Sequence, residues 1–243
     1  MVAPAPPILE VSGVSRAFGG IVAVDDVTFS IAPGIATGLI GPNGAGKTTL
    51  FNLLSALDRP DTGAVRFEHR RIDRLAAHQV TRLGVGRTFQ SVRVFGDMSV
   101  QENLEVADLS SARRNEPGRK ARIEEALDFV DMRPHLHADA GRLSYGQRKL
   151  VELAMVLVQG PRLILLDEPV AGVNPVLTER IGRILADIVR RGHTLLVVEH
   201  NIPFVTGLCE RVIVMANGAI LADGAPDAIQ RDSRVLEAFL GGQ

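Results

Sequence analysis

Residues 41–48, Gly-Pro-Asn-Gly-Ala-Gly-Lys-Thr, have the composition and spacing of a loop that binds phosphate. Glycine has no Cβ, so the backbone N–H groups of such a loop can approach phosphate oxygens closely. Lys47 can reach the β- and γ-phosphates of a nucleotide, and the Thr48 hydroxyl can hold Mg²⁺. A chance match in an ordinary glycine turn is the alternative, but a strand pattern before the loop and a helix pattern after it favour phosphate binding. We assign the nucleotide phosphates to one continuous stretch: Gly41, Pro42, Asn43, Gly44, Ala45, Gly46, Lys47, Thr48 and Thr49.

Two adjacent carboxylates, Asp167 and Glu168, follow the apolar run at residues 163–166. Such a run predicts a strand buried on both faces, and ligands of open α/β sheets lie at the carboxyl ends of strands. We expect Asp167 to anchor Mg²⁺ and Glu168 to act as the general base that polarises an attacking water. The alternative is a strand that leaves the core through polar residues, and the phosphate-binding loop in the same chain argues against it.

Residues 143–147, Leu-Ser-Tyr-Gly-Gln, precede an amphipathic helix pattern over residues 147–157. A small hydroxyl, a glycine and a helix N-terminus together can bind a second anion. We assign Ser144, Gly146 and Gln147 to this role, while the simpler interpretation is that Ser144 only caps the helix. One chain with two phosphate-binding ends suggests that the second end meets a nucleotide held by another copy.

These motifs, in this order, resemble the ABC family of ATPases. Residues 143–147 are similar to the family signature, usually Leu-Ser-Gly-Gly-Gln, with Tyr145 in place of the first glycine. The resemblance covers nearly the whole chain, from about Ile8 to Leu240. Details at residues 87–90, 143–147, 171–175 and 199–201 are closest to the ATPase subunits of branched-chain amino-acid uptake systems.

The resemblance implies roles for three further side chains. Gln90 would contact Mg²⁺ and the attacking water, although a lone glutamine is ordinarily a surface residue. His200 would hydrogen-bond the γ-phosphate and hold the water activated by Glu168, although a histidine after a buried strand is more often a cap. Phe18 would stack on adenine, with a core aromatic as the alternative. The expected metal-binding side chains are then Thr48, Gln90 and Asp167, and the expected catalytic ones Glu168, His200 and Gln90.

Short strand-like runs alternate with helical patterns along most of the chain, which predicts an α/β fold with a mostly parallel sheet covered by helices. We assign strands at residues 8–14, 27–31, 36–40, 163–166 and 194–198, and helices at residues 47–57 and 175–190. The resemblance adds a P-loop ATPase fold with an antiparallel β subdomain near the N-terminus.

One ATP-binding domain is predicted over residues 8–240. Residues 98–159 contain little strand pattern and a breaker at Pro117-Gly118, so we interpret them as a helical subdomain inserted into that domain. The Ala/Pro-rich residues 1–7 are expected to be a flexible lead-in. His135 and His137 have no further metal ligands around them in the sequence, and we expect both on the surface.

Composition restricts the class of protein and the compartment in which it can work. The chain has 243 residues, of which 46% are hydrophobic, and a formal net charge of −1, so it has a globular composition without the basic excess of nucleic-acid-binding proteins. Its single cysteine, Cys209, suggests a reducing compartment and is expected to be a small buried residue. Neither a membrane-spanning run nor a signal-peptide pattern is present in the sequence. With these features, the resemblance implies a peripheral protein on the cytoplasmic face of the inner (plasma) membrane, which meets the membrane only through partner chains.

The resemblance, together with the phosphate loop and the carboxylate pair, implies an ABC importer subunit that hydrolyses ATP to ADP and phosphate with Mg²⁺ as cofactor. The predicted partners are a second ATPase subunit, identical or a sister chain, and transmembrane permease subunits. The resemblance favours branched-chain amino acids as cargo and leaves urea, amides and other small polar solutes open. Two other classes of protein are alternatives. A soluble ABC ATPase acting on ribosomes or DNA usually carries tandem cassettes or long coiled coils, and a module that binds nucleotide without hydrolysis would not need Glu168, His200 and Gln90.

Overall fold

The computed structural model describes residues 5–240, so most of the predicted lead-in at residues 1–7 lies outside the described residues. The strands are β1 (Leu9–Phe18), β2 (Ile21–Ile31), β3 (Ala36–Ile40), β4 (Thr62–Phe67), β5 (Arg70–Arg71), β6 (Val85–Arg87), β7 (Leu163–Asp167), β8 (Thr194–Val198), β9 (Arg211–Ala216) and β10 (Ala219–Gly224). The α-helices are α1 (Lys47–Leu54), α2 (Ala77–Leu83), α3 (Val100–Leu109), α4 (Arg119–Phe129), α5 (Tyr145–Leu157), α6 (Pro175–Arg190), α7 (Ile202–Leu208), α8 (Pro226–Arg231) and α9 (Ser233–Leu240).

The strands form two sheets. One is antiparallel with the order β2-β1-β4-β5, and the other has the order β10-β9-β3-β8-β7-β6 and is parallel except for the edge strand β10. The predicted α/β fold, with an antiparallel N-terminal sheet and a mostly parallel core sheet, is therefore confirmed. Parallel strands need crossover connections, which the helices between them supply.

The core sheet is buried on both faces. Along β7, Leu163 and Leu165 pack with α1 and the antiparallel sheet, whereas Ile164 and Leu166 pack with the helices on the other side. Side chains of a strand alternate between the two faces, so a strand covered twice must be apolar throughout. This explains why the sequence pattern at residues 163–166 is continuous rather than alternating.

Helices α3, α4 and α5, with two short 3₁₀ turns, occupy most of residues 98–159. Helix α5 packs against α3, α4 and β6, so this segment joins the core sheet along one helix. Its status as an inserted subdomain of a domain over residues 8–240 stays a prediction. Within residues 5–240 no helix is both long and apolar enough to cross a bilayer.

Helix α1 ends at Leu54, three residues before the end predicted from the sequence. Ala56 adopts a left-handed backbone with φ of 54°, which stops the helix, and the Leu57 N–H turns back to Asn52 O. Arg87 Nη1 donates to the Phe51 carbonyl at 3.1 Å, which also accepts from the N–H and the hydroxyl of Ser55. The end of α1 thus has local partners and a distant one, and no local pattern could have indicated the distant one.

Candidate active site

Register in the core sheet brings the predicted motifs to one edge. Val198 of β8 pairs with Leu39 of β3 on one side and with Asp167 of β7 on the other. The phosphate loop (residues 41–49) follows β3, Glu168 follows β7, and His200 follows β8. Because parallel strands end at the same edge, three segments far apart in sequence start their loops side by side.

The phosphate loop is shaped by close backbone contacts at two glycines. A Cβ at Gly41 would lie 2.1 Å from Met215 O, and one at Gly46 would lie 2.2 Å from Ala23 O. Gly46 also has φ of 95°, a conformation that glycine adopts without strain. No side chain among the described residues caps α1 at Gly46, so the N–H groups of its first turn are available to an anion.

Lys47 carries the charge of this loop. Its side chain is buried, and Nζ donates to Gly41 O at 2.8 Å and to Pro42 O at 2.9 Å. Burial lowers the pKa of Lys47, while the carboxylates of Glu168 and Asp167 act in the opposite direction. The ammonium therefore lies over the loop with carboxylates close by, in a position suited to the phosphates of a nucleotide.

Asp167 is buried and faces Arg87. Arg87 Nη2 lies 3.4 Å from Asp167 Oδ2, and the Asp167 N–H donates to Thr88 Oγ1 at 3.2 Å. Burial raises the pKa of Asp167, and the Arg87 guanidinium opposes this rise. The ion pair fixes the carboxylate at the end of β7.

Glu168 lies between two side chains from other loops. Gln90 Nε2 donates to Glu168 Oε2 at 3.1 Å, and His200 Nε2 lies 3.2 Å from Glu168 Oε1. Gln90 and His200 are exposed, and Glu168 is half-buried. The structure thus brings together the three side chains predicted as catalytic, although their roles stay predictions.

The predicted metal-binding side chains offer oxygen donors: the carboxylate of Asp167, the hydroxyl of Thr48 and the amide carbonyl of Gln90. Within residues 5–240 no group of three or more His, Cys, Asp or Glu side chains is placed to hold a metal ion. Mg²⁺ at phosphoryl-transfer sites takes one or two protein carboxylates and completes its shell with phosphates and water. The donor set therefore fits a Mg²⁺ shared with a nucleotide rather than a site made by protein alone.

Phe18 lies at the turn of the β1–β2 hairpin, where Gly19 and Gly20 both have positive φ. Its side chain is 47% exposed, and the Arg16 guanidinium stacks 4.6 Å from the ring centroid. Strand β2 of the same hairpin touches the phosphate loop through Ala23 O at Gly46. The exposure of the ring excludes the core-aromatic alternative, and the adenine contact stays a prediction.

The second anion-binding end (residues 144–147) begins α5. Ser144 accepts the Gln147 N–H at 3.3 Å, and Gln147 Oε1 accepts the Ser144 N–H at 2.9 Å, which is a capping box. The simpler interpretation of Ser144 as a helix cap therefore describes this structure, and the Ser144 side chain remains exposed. His135 is half-buried rather than on the open surface as expected, with Nε2 3.1 Å from Gln147 Nε2.

The two anion-binding ends of the chain have different neighbours. The phosphate loop contacts Ala23 and Met215, whereas the second end contacts the loop before α6: a Cβ at Gly146 would meet Leu177, and Tyr145 lies against Gly172. The two ends therefore share no neighbour among these contacts.

Four charged residues beneath the site received no role from the sequence: Arg87, Lys149, Glu152 and Glu199. Arg87 contacts the Asp167 carboxylate and the end of α1, whereas the other three contact backbone groups of the site loops. Lys149 Nζ donates to Glu168 O at 2.7 Å, and Glu199 accepts the N–H groups of Val170 and His200. The only sequence signal was a charged residue inside an apolar run, as in Leu150-Val-Glu-Leu-Ala154.

Two sequence profiles match the chain. The profile described as ABC transporter matches residues 24–171, and the profile described as branched-chain amino acid ATP-binding cassette transporter matches residues 219–243. The first spans more than half of the chain and includes the phosphate loop, residues 144–147 and both carboxylates at the end of β7.

Individual proteins are similar over nearly their full length. The chain is 37% identical to the high-affinity branched-chain amino acid transport ATP-binding protein BraF of Pseudomonas aeruginosa, over 97% of this chain and 98% of BraF. It is 37% identical, over the same shares, to the lipopolysaccharide export system ATP-binding protein LptB of Acidithiobacillus ferridurans.

Among solved structures, the ADP conformation of MJ1267, an ATP-binding cassette of an ABC transporter, has a TM-score of 0.88 and 32% identity, covering 98% of this chain and 100% of that one. The dimeric structure of MJ0796, a bacterial ABC transporter cassette, has a TM-score of 0.81 and 25% identity, covering 90% of this chain and 98% of that one.

Proposed function

The chain belongs to the ABC transporter family, and we propose that it is the ATP-hydrolysing subunit of an importer for branched-chain amino acids. The observation that carries the ATPase mechanism is the contact of Glu168 with Gln90 on one side and His200 on the other. Three segments supply this group, with Gln90 78 residues before Glu168 and His200 32 residues after it. It lies at the sheet edge from which the phosphate loop also starts.

In this mechanism the loop N–H groups and Lys47 bind the β- and γ-phosphates of ATP. Glu168 accepts a proton from the attacking water, Gln90 orients that water, and His200 hydrogen-bonds the γ-phosphate. A Mg²⁺ held by Thr48, Asp167 and Gln90 would neutralise charge on the phosphates. Burial keeps the carboxylate of Asp167 at a fixed place, and the Arg87 ion pair limits its motion.

The second anion-binding end would close over ATP held by another ATPase subunit, either a second copy or a sister chain. Support comes from the different neighbours of the two ends and from the exposed Ser144 hydroxyl. The similar cassette MJ0796 is described as dimeric. ATP would favour the closed pair because it binds both subunits at once, and hydrolysis would remove the bridging anion.

Cargo and location are inferred from the relatives and from the C-terminal profile. LptB and BraF are equally similar to this chain, so overall identity does not distinguish their cargoes. The profile match at residues 219–243 favours branched-chain amino acids. Transmembrane permease chains would contact the cargo and hold this subunit on the cytoplasmic face of the inner membrane.

The proposed mechanism is tested with Glu168→Gln. This variant should bind ATP, form a dimer on ATP addition and release less than about 1% of the wild-type phosphate, because the base is lost while the binding groups remain. Light scattering and a phosphate-release assay measure the two effects. Ser144→Arg in the same background is the control and should abolish the dimer without changing nucleotide affinity. Undiminished hydrolysis by Glu168→Gln would remove the assigned base.

A further inference from the structure

Helix α5 carries two buried charged side chains on one face. Lys149 and Glu152 are each 7% exposed and lie three residues apart, which places them one above the other on the helix. A buried charge is costly unless hydrogen bonds compensate it. Both residues find those partners outside the helix, in the two loops that supply Gln90 and Glu168.

Glu152 holds the segment that contains Gln90. Its Oε1 atom accepts the N–H groups of Phe89 and Arg93, each at 3.3 Å. These two residues flank Gln90 in a stretch without regular secondary structure, the Gln90 segment (residues 88–97). One carboxylate oxygen thus accepts backbone N–H groups on both sides of Gln90, in a stretch where neither a β-ladder nor a helix provides acceptors.

Lys149 holds the backbone of the residue that Gln90 contacts. Its Nζ donates to Glu168 O at 2.7 Å, and the Glu168 N–H donates to Val198 O at 2.9 Å. Side chains of α5 therefore hydrogen-bond the backbone next to Gln90 and the backbone of Glu168, the two residues joined by the 3.1 Å contact. The first residues of α5 also form the second anion-binding end.

We propose that Glu152 is a positioning residue for ATP hydrolysis, which keeps Gln90 within hydrogen-bonding distance of Glu168. Through α5, Glu152 also links this pair to the second anion-binding end. The inference rests on the proposed function. A shift of α5, when residues 144–147 meet the nucleotide of another subunit, would be transmitted to Gln90 through Glu152 and to Glu168 through Lys149. Nucleotide bound to the other subunit would thereby change the position of Gln90 relative to Glu168 in this chain.

A double-mutant cycle separates this role from a purely structural one. Glu152→Met keeps the volume of the side chain and removes the acceptor, and it should lower kcat about 10-fold with KM for ATP changed less than about 2-fold. Because Glu152 acts through Gln90, the double variant with Gln90→Ala should be no slower than Gln90→Ala alone. Glu152→Gln retains an acceptor oxygen and should recover most of the loss.

Asp108→Asn is the matched control. Asp108 is a fully buried carboxylate on α3 that accepts from Arg119 and Arg122, so its replacement disturbs a buried ion pair of the same helical segment. It should lower the melting temperature and leave kcat unchanged at temperatures where the variant is folded. Equal losses of kcat in Asp108→Asn and Glu152→Met would overturn the proposal.

Hydrogen exchange of the chain without nucleotide gives an independent readout. Glu152→Met should accelerate exchange in the peptide covering residues 88–97, whereas Asp108→Asn should not. Unchanged exchange there, or multiplicative losses of kcat in the double variant, would overturn the inference and leave the proposed function standing. Failure of the wild-type chain to hydrolyse ATP would overturn the proposed function and the inference together.

Discussion

At the scale of single residues, Glu168 is held by its backbone as much as by its side chain. Its φ of 50° lies in the left-handed region, which costs a non-glycine residue roughly 1–3 kcal/mol. Hydrogen bonds to Val198 and Lys149 hold that backbone, and Gln90 and His200 hold the carboxylate. The left-handed backbone at Glu168 ends the strand direction of β7, and the side chain contacts Gln90 and His200 at the sheet edge.

Cys209 offers a residue-scale prediction. It is 5% exposed, and burial raises the pKa of its thiol to about 12, so the reactive thiolate is scarce in the folded chain. The native protein should stay unreactive toward an aromatic disulfide reagent up to about pH 10, and denaturant should release one reactive thiol per chain. The absorbance of the aromatic thiolate that the reagent releases measures the reaction of the native and of the denatured protein. Rapid reaction of the native protein at pH about 8 would contradict the burial of Cys209.

At the scale of elements, the site forms where regular structure begins or ends. Strands β3, β7 and β8 end at one edge, and the phosphate loop leads from β3 into helix α1. Backbone N–H groups at helix starts lack partners within the helix, so each start requires a cap or an anion. Ser144 and Asn174 cap α5 and α6, whereas Gly46 at α1 leaves this position open for phosphate.

The cap of α6 carries the element-scale prediction. Asn174 Oδ1 accepts the Leu177 N–H at 2.9 Å, so Asn174→Ala should lower the free energy of unfolding by about 1 kcal/mol. Asn174→Asp should preserve the cap, because its carboxylate can accept the same N–H, and serves as the control. Urea denaturation followed by circular dichroism measures the difference. Identical midpoints for Asn174→Ala and wild type would show that the cap contributes nothing.

At the scale of the whole molecule, the proposed function assigns two halves of a nucleotide site to each chain. The phosphate loop with Phe18 forms one half, and the second anion-binding end forms the other. Under the proposed function, a second ATPase subunit would bring both halves to each nucleotide. Hydrolysis would then be coupled to the approach and separation of the two subunits.

Transport provides the whole-molecule prediction. Cells whose only copy of the gene encodes Lys47→Ala should take up labelled leucine, isoleucine and valine at the rate of a deletion strain, because ATP binding at the phosphate loop drives the subunit motion. A strain carrying Cys209→Ala is the control and should retain uptake. Normal leucine uptake in the Lys47→Ala strain would refute the assigned cargo while leaving the ATPase activity to be judged by phosphate release.

The sequence by itself determined features that depend on neighbours along the chain. The phosphate loop, the carboxylate pair after an apolar run and the helix at residues 175–190 are set by spacing and periodicity, and β3, β8 and α6 have the predicted bounds. Strands β4, β5, β6, β9 and β10 and the short helices received no residue-based assignment, because their apolar runs are brief and depend on pairing with distant strands.

Only the tertiary structure decided which distant groups meet. The parallel order β3-β8-β7-β6 places Gln90, Glu168 and His200 in contact, and strand order is not a local property of the chain. Local sequence likewise does not determine that Arg87 of β6 hydrogen-bonds the end of α1, or that Lys149 and Glu152 are buried. A helical pattern marks a charged residue as polar, but whether that charge faces water or a loop backbone depends on what packs against the helix.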